Sequence, residues 1–514
     1  MSGTAQTTDY RLIPNNTHKW WFLDPCLRWN MLHCMGLCGA MFFNGYDGSL
    51  FNGLQSISEW TEYFNHPSST ILGLMNSAGF LPGCLASFFG DAMQHFFGKR
   101  TTVWVSSVIA LVGVIVISVS TSVGMFCGGR AIMGFGTSAA LAVAPAHLQE
   151  IAHPRYRAPV SAFFTAIYYL AAIISSAVCL GCLGIVGEMA WRIPAWLQVC
   201  GPSVTLILTA TMPESPRWLV RNRRLEDARK VLVKYHANGL EDDPLVDYEF
   251  REICAAIEEE QNAKQIKYTD FLRTPGNRHR LMILIVQGIS MNWVGNGIIS
   301  YYLSPILTSL GITSTREQLT ILTCLHVWNL IIATSASVFI DKAGRRPLWL
   351  SATAGQLLSL VAVMGLSAAY SHGVEKAGVA VIPFFFIFYG SYDIAYSPMS
   401  YSYPVEILTF SMRTKGAAIY ITISTLAVAL NTWVNPIALA ALAWKYYGVY
   451  IAINAVLIVI IYLGFPETKN RTIEEVAIIF DGDRAIAEAY NASGENGDAR
   501  SSSIEIREES EAKE

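Results

Sequence analysis

The sequence predicts an all-α membrane protein of twelve transmembrane helices arranged as two six-helix halves. Three observations carry this. The 514 residues are 52% hydrophobic and 15% charged, whereas soluble domains carry about 25% charged residues. Apolar runs, each about one bilayer thick, flank a single long charged internal stretch that ends at Arg280. The two apolar blocks also end alike, in PESPRWLV at Pro213–Val220 and in PETKNRT at Pro466–Thr472, as an internal duplication would leave them.

The elements follow in order. Residues 1–28 form a polar tail with no cleavable signal peptide. Crossing a core of roughly 30 Å takes about 20 apolar residues. The first half, 29–212, holds such runs near 33–53, 70–90, 102–121, 125–147, 160–184 and 193–212. A charged loop, 213–280, follows, and the periodicity of LEDARKVLVKYH and DYEFREICAAIEEE predicts short amphipathic helices. The second half, 281–465, holds runs near 281–303, 318–340, 347–369, 379–403, 416–438 and 446–464. Gly and Pro inside them are tolerated where neighbouring helices cover the freed backbone groups. The tail, 466–514, ends in the acidic SSSIEIREESEAKE and reads as disordered there.

Lysine and arginine set the orientation. Alternate connections hold Lys99 and Arg100, Arg155 and Arg157, thirteen Lys/Arg in 213–280, then Lys342, Arg345, Arg346, Arg413 and Lys415. The opposite set holds few, among them Arg316, Lys376 and Lys445. Both termini and the central loop are therefore expected in the cytosol of a multi-pass protein of the plasma membrane. The sequons at Asn15, Asn470 and Asn491 fall on that side and read as chance matches. Cys179-x-x-Cys182 has no second pair and reads as helix packing, and no metal site is expected. Gly134 and Gly136 likewise read as close helix packing. No nucleotide loop or nucleophile constellation appears, so neither an enzyme nor a cofactor is expected.

Nine motifs line up in order: GYDGS from Gly45, GRAIMGFG from Gly129, PAHLQEIAHPRYR ending at Arg157, WRIPAWLQ from Trp191, PESPR from Pro213, GNGIISYY from Gly295, DKAGRR from Asp341, YPVEILTFSMRTKG from Tyr403 and PETKNRTIEE from Pro466. From about residue 30 to 480 the chain resembles the sugar porter family of the major facilitator superfamily, and within it the fungal lactose-permease and cellodextrin-transporter branch. The resemblance implies the major facilitator fold, a sugar substrate, protons as co-substrate, and a carrier that works as a monomer without nucleic acid.

It also implies a latch on the inner face, built from charge-assisted pairs that break as the protein opens inward. Its expected members are Glu150, Arg157, Glu214, Arg217, Asp341, Arg345, Arg346, Glu406, Arg413 and Glu467. In one place the chain departs from the family, because His95 stands where a carboxylate is expected three residues before Gly98.

Ionisable groups inside spans cost about 2.5–3.5 kcal/mol on insertion scales and mark function by default. Asp47, Arg130 and Asp393 are the three here. The resemblance places Asp47 beside Arg130, and an acid at the GYD position goes with proton symport. A permanent ion pair fixing helix register is the structural alternative. Gln198 stands where some bacterial members have a helper Glu. Asp393 could take a proton, bind a sugar hydroxyl or hydrogen-bond a tyrosine.

A sugar site needs amides, hydroxyls and aromatic rings. Carried over from the xylose–proton symporter pattern, the expected site residues are Thr165, Asn292, Asn296, Tyr301, Asn329, Tyr401, Ser424, Thr425 and Asn435. Several are shorter than the Gln and Trp of the monosaccharide pattern, which points to a wider cavity and a disaccharide. Three alternatives stand beside this reading: a passive sugar or polyol facilitator, a transporter-like nutrient sensor, and a carrier of a pathway metabolite.

Overall fold

The computed structural model describes residues 13–18, 20–262, 267–409, 412–469, 471 and 473–482. The acidic end of the tail and the sequons at Asn470 and Asn491 lie outside these residues. Nine helical stretches among them are long and apolar enough to cross a membrane. The last, Lys415–Gly464, contains two helices, and α1 with the broken α2–α3 brings the crossings to twelve.

The first half comprises α1 (Pro25–Ser56), α2 (Ser69–Ser77) continued by α3 (Gly83–Phe97), α4 (Lys99–Ser118), α5 (Val123–Ile151), α6 (Arg157–Gly181), and α7 (Met189–Leu197) continued by α8 (Cys200–Ala210). Three short helices fill the loop: α9 (Pro216–Arg221), α10 (Leu225–His236) and α11 (Pro244–Asn262). The second half comprises α12 (Pro275–Trp293) continued by α13 (Asn296–Ser309), α14 (Thr315–Ala343), α15 (Arg345–Ser371), α16 (Ile382–Ile407), α17 (Arg413–Leu442) and α18 (Tyr447–Gly464), and α19 (Ile473–Asp481) follows.

Local chemistry sets many boundaries. Asp24 accepts from the N–H groups of Cys26 and Leu27 and starts α1, with Pro25 in the first turn. Ser68, Ser122, Ser215, Thr274 and Ser314 cap α2, α5, α9, α12 and α14 in the same way. Helix α1 begins two turns before its apolar run because Asn30 and His33 dilute the hydropathy there. Gly295, at φ 112°, makes the break between α12 and α13 in a conformation that side chains resist.

Within the first half α4 packs on α5, and α1 packs on both α6 and α8. In the second, α15 packs on α16 and α18, and α12 on α17. A Cβ on Gly45 would meet the backbone of Tyr168, so glycine is what lets α1 and α6 touch. Cβ atoms on Gly134 and Gly136 would meet Gly79 O and the Ala110 backbone, and Cys179 Sγ packs against Gly53.

The loop helices dock on the first half through a buried cluster. His236 Nδ1 lies 2.6 Å from Glu249 Oε2, and its Nε2 lies 3.1 Å from Ile151 O. Arg157 holds the other Glu249 oxygen at 2.7 Å. Burial opposes the charged form of Glu249, but His236 and Arg157 hold its carboxyl below the usual carboxylate range. Burial, with His236, Arg155 and Arg157 nearby, pushes His153 down to about 2. The Asn15 side-chain nitrogen, which a glycan would need, donates to His236 O and Asp243.

Candidate translocation site between the halves

Asp47 and Arg130 come from facing turns of α1 and α5 and meet at 3.2 Å, both buried. Gly79 leaves room for the guanidinium, which also lies 4.8 Å over the Phe51 ring. Losing the charge of either partner leaves the other buried without its counter-ion, which is costly.

From Arg130 a chain of donors crosses to the second half. Its NH2 donates to Asn76 Oδ1 at 3.5 Å, and Asn76 Nδ2 donates to the Tyr302 hydroxyl at 3.1 Å. Tyr302 in turn donates to Thr432 O of α17 at 2.5 Å.

Tyr302 sits at a kink in α13, with non-helical φ −136° and ψ 25°. A kink and a proline free backbone groups inside a helix, and α1 supplies their partners. Asn52 donates to Ser300 O at 2.9 Å and accepts from Ser304 N at 3.3 Å. Pro305 cannot donate to Tyr301 O one turn back, and Gln55 does so instead at 2.8 Å. Ser56 and Ser304 join at 2.7 Å, and Ser49 meets His326 of α14 at 3.0 Å. The end of the molecule away from the loop helices is thereby closed across the two halves.

Asp393 of α16 is buried, and the Tyr169 hydroxyl of α6 donates to its Oδ1 at 2.8 Å. Tyr169 also meets Ser397 at 2.7 Å, while Asp393 Oδ2 has no hydrogen-bond partner among the described residues. A second contact between the halves thus has a carboxyl group at its centre.

The expected sugar residues separate into groups. Asn292 donates to Ser424 O and Oγ at 3.1 and 3.2 Å, tying α12 to α17 beside Thr425, whose hydroxyl bonds its own helix. Asn296 and Asn329 each have a buried side-chain oxygen without a partner among the described residues, which leaves acceptors available. Tyr301 packs edge-on against Phe80. Thr165 bonds Ser161 O in its own helix. Asn435 is enclosed with Asn431, Tyr446 and Tyr450 inside the second half. The side chain of Tyr401 lies outside the described residues.

Of the expected latch residues, Glu150, Glu214, Arg345, Arg346, Glu406 and Glu467 find partners within their own half in this structure. Lys99 meets Glu150 at 2.7 Å, and Glu214 accepts the N–H groups of Lys99, Arg100 and Ser215. Burial keeps the Glu214 carboxyl above the usual carboxylate range despite those bonds. In the second half Arg345 meets Glu406 at 3.1 Å, Thr468 donates to Glu406 at 2.6 Å, and Glu467 accepts the N–H groups of Arg345 and Arg346. The two sets are the same design twice, as the paired PES and PET motifs suggested. Arg157 binds Glu249 of α11, and Arg217 lines a 570 Å³ cavity with His95, Lys99 and Glu150. Arg413 lies at the first turn of α17, and the Asp341 side chain is outside the described residues.

Sequence reasoning missed Asn52, Gln55, Asn76, Tyr169 and Tyr302. Asn52 and Gln55 carried a usable signal, since amides inside an apolar span need partners and Pro305 leaves a carbonyl without one.

A profile of the family described as "Sugar (and other) transporter" matches residues 33–480. The chain is 26% identical over 446 residues to the MFS-type transporter oryC of Aspergillus oryzae, covering 84% of this chain and 82% of that protein. It is 27% identical over 470 residues to high-affinity glucose transporter 1 of Candida albicans, covering 87% and 84%. An inward-open structure of the xylose transporter XylE from E. coli superposes with a TM-score of 0.71 at 19% identity, covering 89% of this chain and 100% of that one.

Proposed function

The chain belongs to the sugar (and other) transporter family of the major facilitator superfamily, and from that premise we propose that it imports a sugar together with protons by alternating access. The substrate is a disaccharide or a related larger glycoside. The carrier sits in the plasma membrane with both termini in the cytosol and works as a monomer. The Asp47–Arg130 pair carries this reading, because it is buried at the point from which hydrogen bonds run to α13 and α17 of the other half.

In the proposed cycle a proton on Asp47 releases Arg130. The guanidinium then moves against Asn76, and Asn76 passes that shift to Tyr302 at the kink of α13. Asp393 and Tyr169 join the halves beside the sugar, and breaking their bond accompanies opening. The family latch acts at the cytosolic end through Glu150, Arg157, Glu214 and Arg217 in one half and Asp341, Arg345, Arg346, Glu406, Arg413 and Glu467 in the other. The paired groups hold the helix ends of each half rigid while the halves rock.

Uptake of labelled mono- and disaccharides by transporter-deficient yeast, with and without a protonophore, tests the reading. Accumulation of a disaccharide that collapses with the protonophore is the expected result. Glucose uptake indifferent to the protonophore would replace it with a passive hexose carrier, an outcome that the names of the relatives keep in view.

The size of the site has its own test. Asn292→Gln with Thr425→Trp fills the place where Asn292 meets Ser424 and should depress disaccharide uptake more than monosaccharide uptake. A hydroxyl deprived of its partner loses roughly 5- to 150-fold in affinity. Equal losses for both sugars would remove the argument from cavity width.

A further inference from the structure

Ahead of α1 the chain turns four large apolar side chains outward. Trp20, Phe22 and Leu23 are 55%, 51% and 57% exposed, and Trp21 is 38% exposed. The short 3-10 turn that carries Trp21–Leu23 buries none of them. The rings rest on one another instead, with Phe22 5.9 Å from Trp20 and 6.0 Å from Trp21. An exposed apolar cluster of this kind marks a contact surface.

Its surroundings say what the contact is. Trp29, Leu32 and Met35 continue the cluster as an exposed stripe down α1, with Arg28 exposed beside it. Helix α1 has 32 residues, which makes it about 48 Å long at 1.5 Å per residue. The hydrocarbon core spans roughly 30 Å. Shared between the two ends, the excess of about 18 Å carries the Pro25 end about 9 Å past the core, to headgroup depth. Tryptophan and phenylalanine above a membrane-crossing stripe, with an arginine for the phosphates, fit that layer.

The segment is also tied down. Asp24 accepts from His18 N at 3.0 Å and from Asn238 Nδ2 at 2.7 Å. Asn238 also donates to Asn16 O at 2.7 Å, and Arg155 donates to His18 O at 3.2 Å. Asn238 lies just beyond α10, and Arg155 at the junction of α5 and α6. Both ends of the aromatic loop are thus fastened to the protein while its tip points away.

We propose that Trp20–Leu23 is an interfacial anchor that inserts into the phospholipid headgroup layer on the side of the loop helices. Through Asp24 and Asn238 it holds α10 against the bilayer. The contact is with lipid rather than with a second copy of the chain, because the exposed stripe that follows the cluster in sequence lies on α1, a helix that crosses the membrane.

The test uses the full-length carrier with Phe22→p-benzoylphenylalanine, in nanodiscs of phosphatidylcholine and phosphatidylserine. Irradiation followed by intact-mass measurement should show the protein plus one phospholipid. A covalent dimer, or no adduct at all, overturns the proposal. Hydrogen exchange over Leu225–His236 should rise by about ten-fold when Trp20, Trp21, Phe22 and Leu23 are all changed to serine. Unchanged exchange there would sink the claim that the anchor holds α10.

Discussion

Changing Asp47 to asparagine should abolish uphill accumulation of the sugar while downhill exchange survives. The amide keeps its size and its hydrogen bonding to Arg130, yet it cannot carry a proton. Moving one charge through a membrane potential is worth about 2.3 kcal/mol per 100 mV, so losing the coupled proton forfeits roughly 50-fold in the accumulation ratio. Counterflow in proteoliposomes, without a gradient, should continue, which separates lost coupling from lost folding. Accumulation that persists in the Asp47→Asn carrier with its pH dependence intact would move the coupling to Asp393.

The second large effect is conformational. Asn52 and Gln55 together supply three hydrogen bonds to the backbone of α13 at the closed end. Changing both to alanine strands those groups, each at a cost of about 1–3 kcal/mol if it stays buried. The equilibrium should shift toward the state open at that end by a factor of about 30 or more. A carrier must visit both states, so turnover slows even though sugar is still bound. An impermeant thiol reagent added from that side, acting on a cysteine introduced at Ser300, should react faster in the double variant. An unchanged rate in a carrier that reaches the membrane would show that the closed end is held by packing alone.

Much of the fold could be read from the chain because bilayer thickness constrains helix length so tightly. The twelve spans, the two-fold repeat and the charged loop all follow from runs of apolar residues and the places where they stop. Hydropathy alone starts α1 late because Asn30 and His33 interrupt the apolar run, although Asp24-Pro25 is a good start signal. In the site, Asp47 and Arg130 stood out because charge is rare in spans. The amides that matter most, Asn52, Gln55 and Asn76, are less conspicuous, since an amide in a membrane helix is a common packing residue. The role of Asn52 and Gln55 depends on which carbonyls are missing a donor across the interface, and that of Asn76 on its place between Arg130 and Tyr302, and both are three-dimensional facts. Asn435 shows the converse, for it fits the expected pattern yet spends its hydrogen bonds on Asn431, Tyr446 and Tyr450.

The freed carbonyls of α13 have one more consequence. While that end is shut, Ser300 O and Tyr301 O are satisfied by side chains of α1. When α1 withdraws, no backbone donor of α13 can take over at Pro305, so water has to enter and bind in its place. Opening is then in part an uptake of solvent, and its equilibrium depends on water activity. Raising the concentration of an excluded osmolyte such as trimethylamine oxide should favour the shut form, even though the solute touches neither the sugar nor the proton.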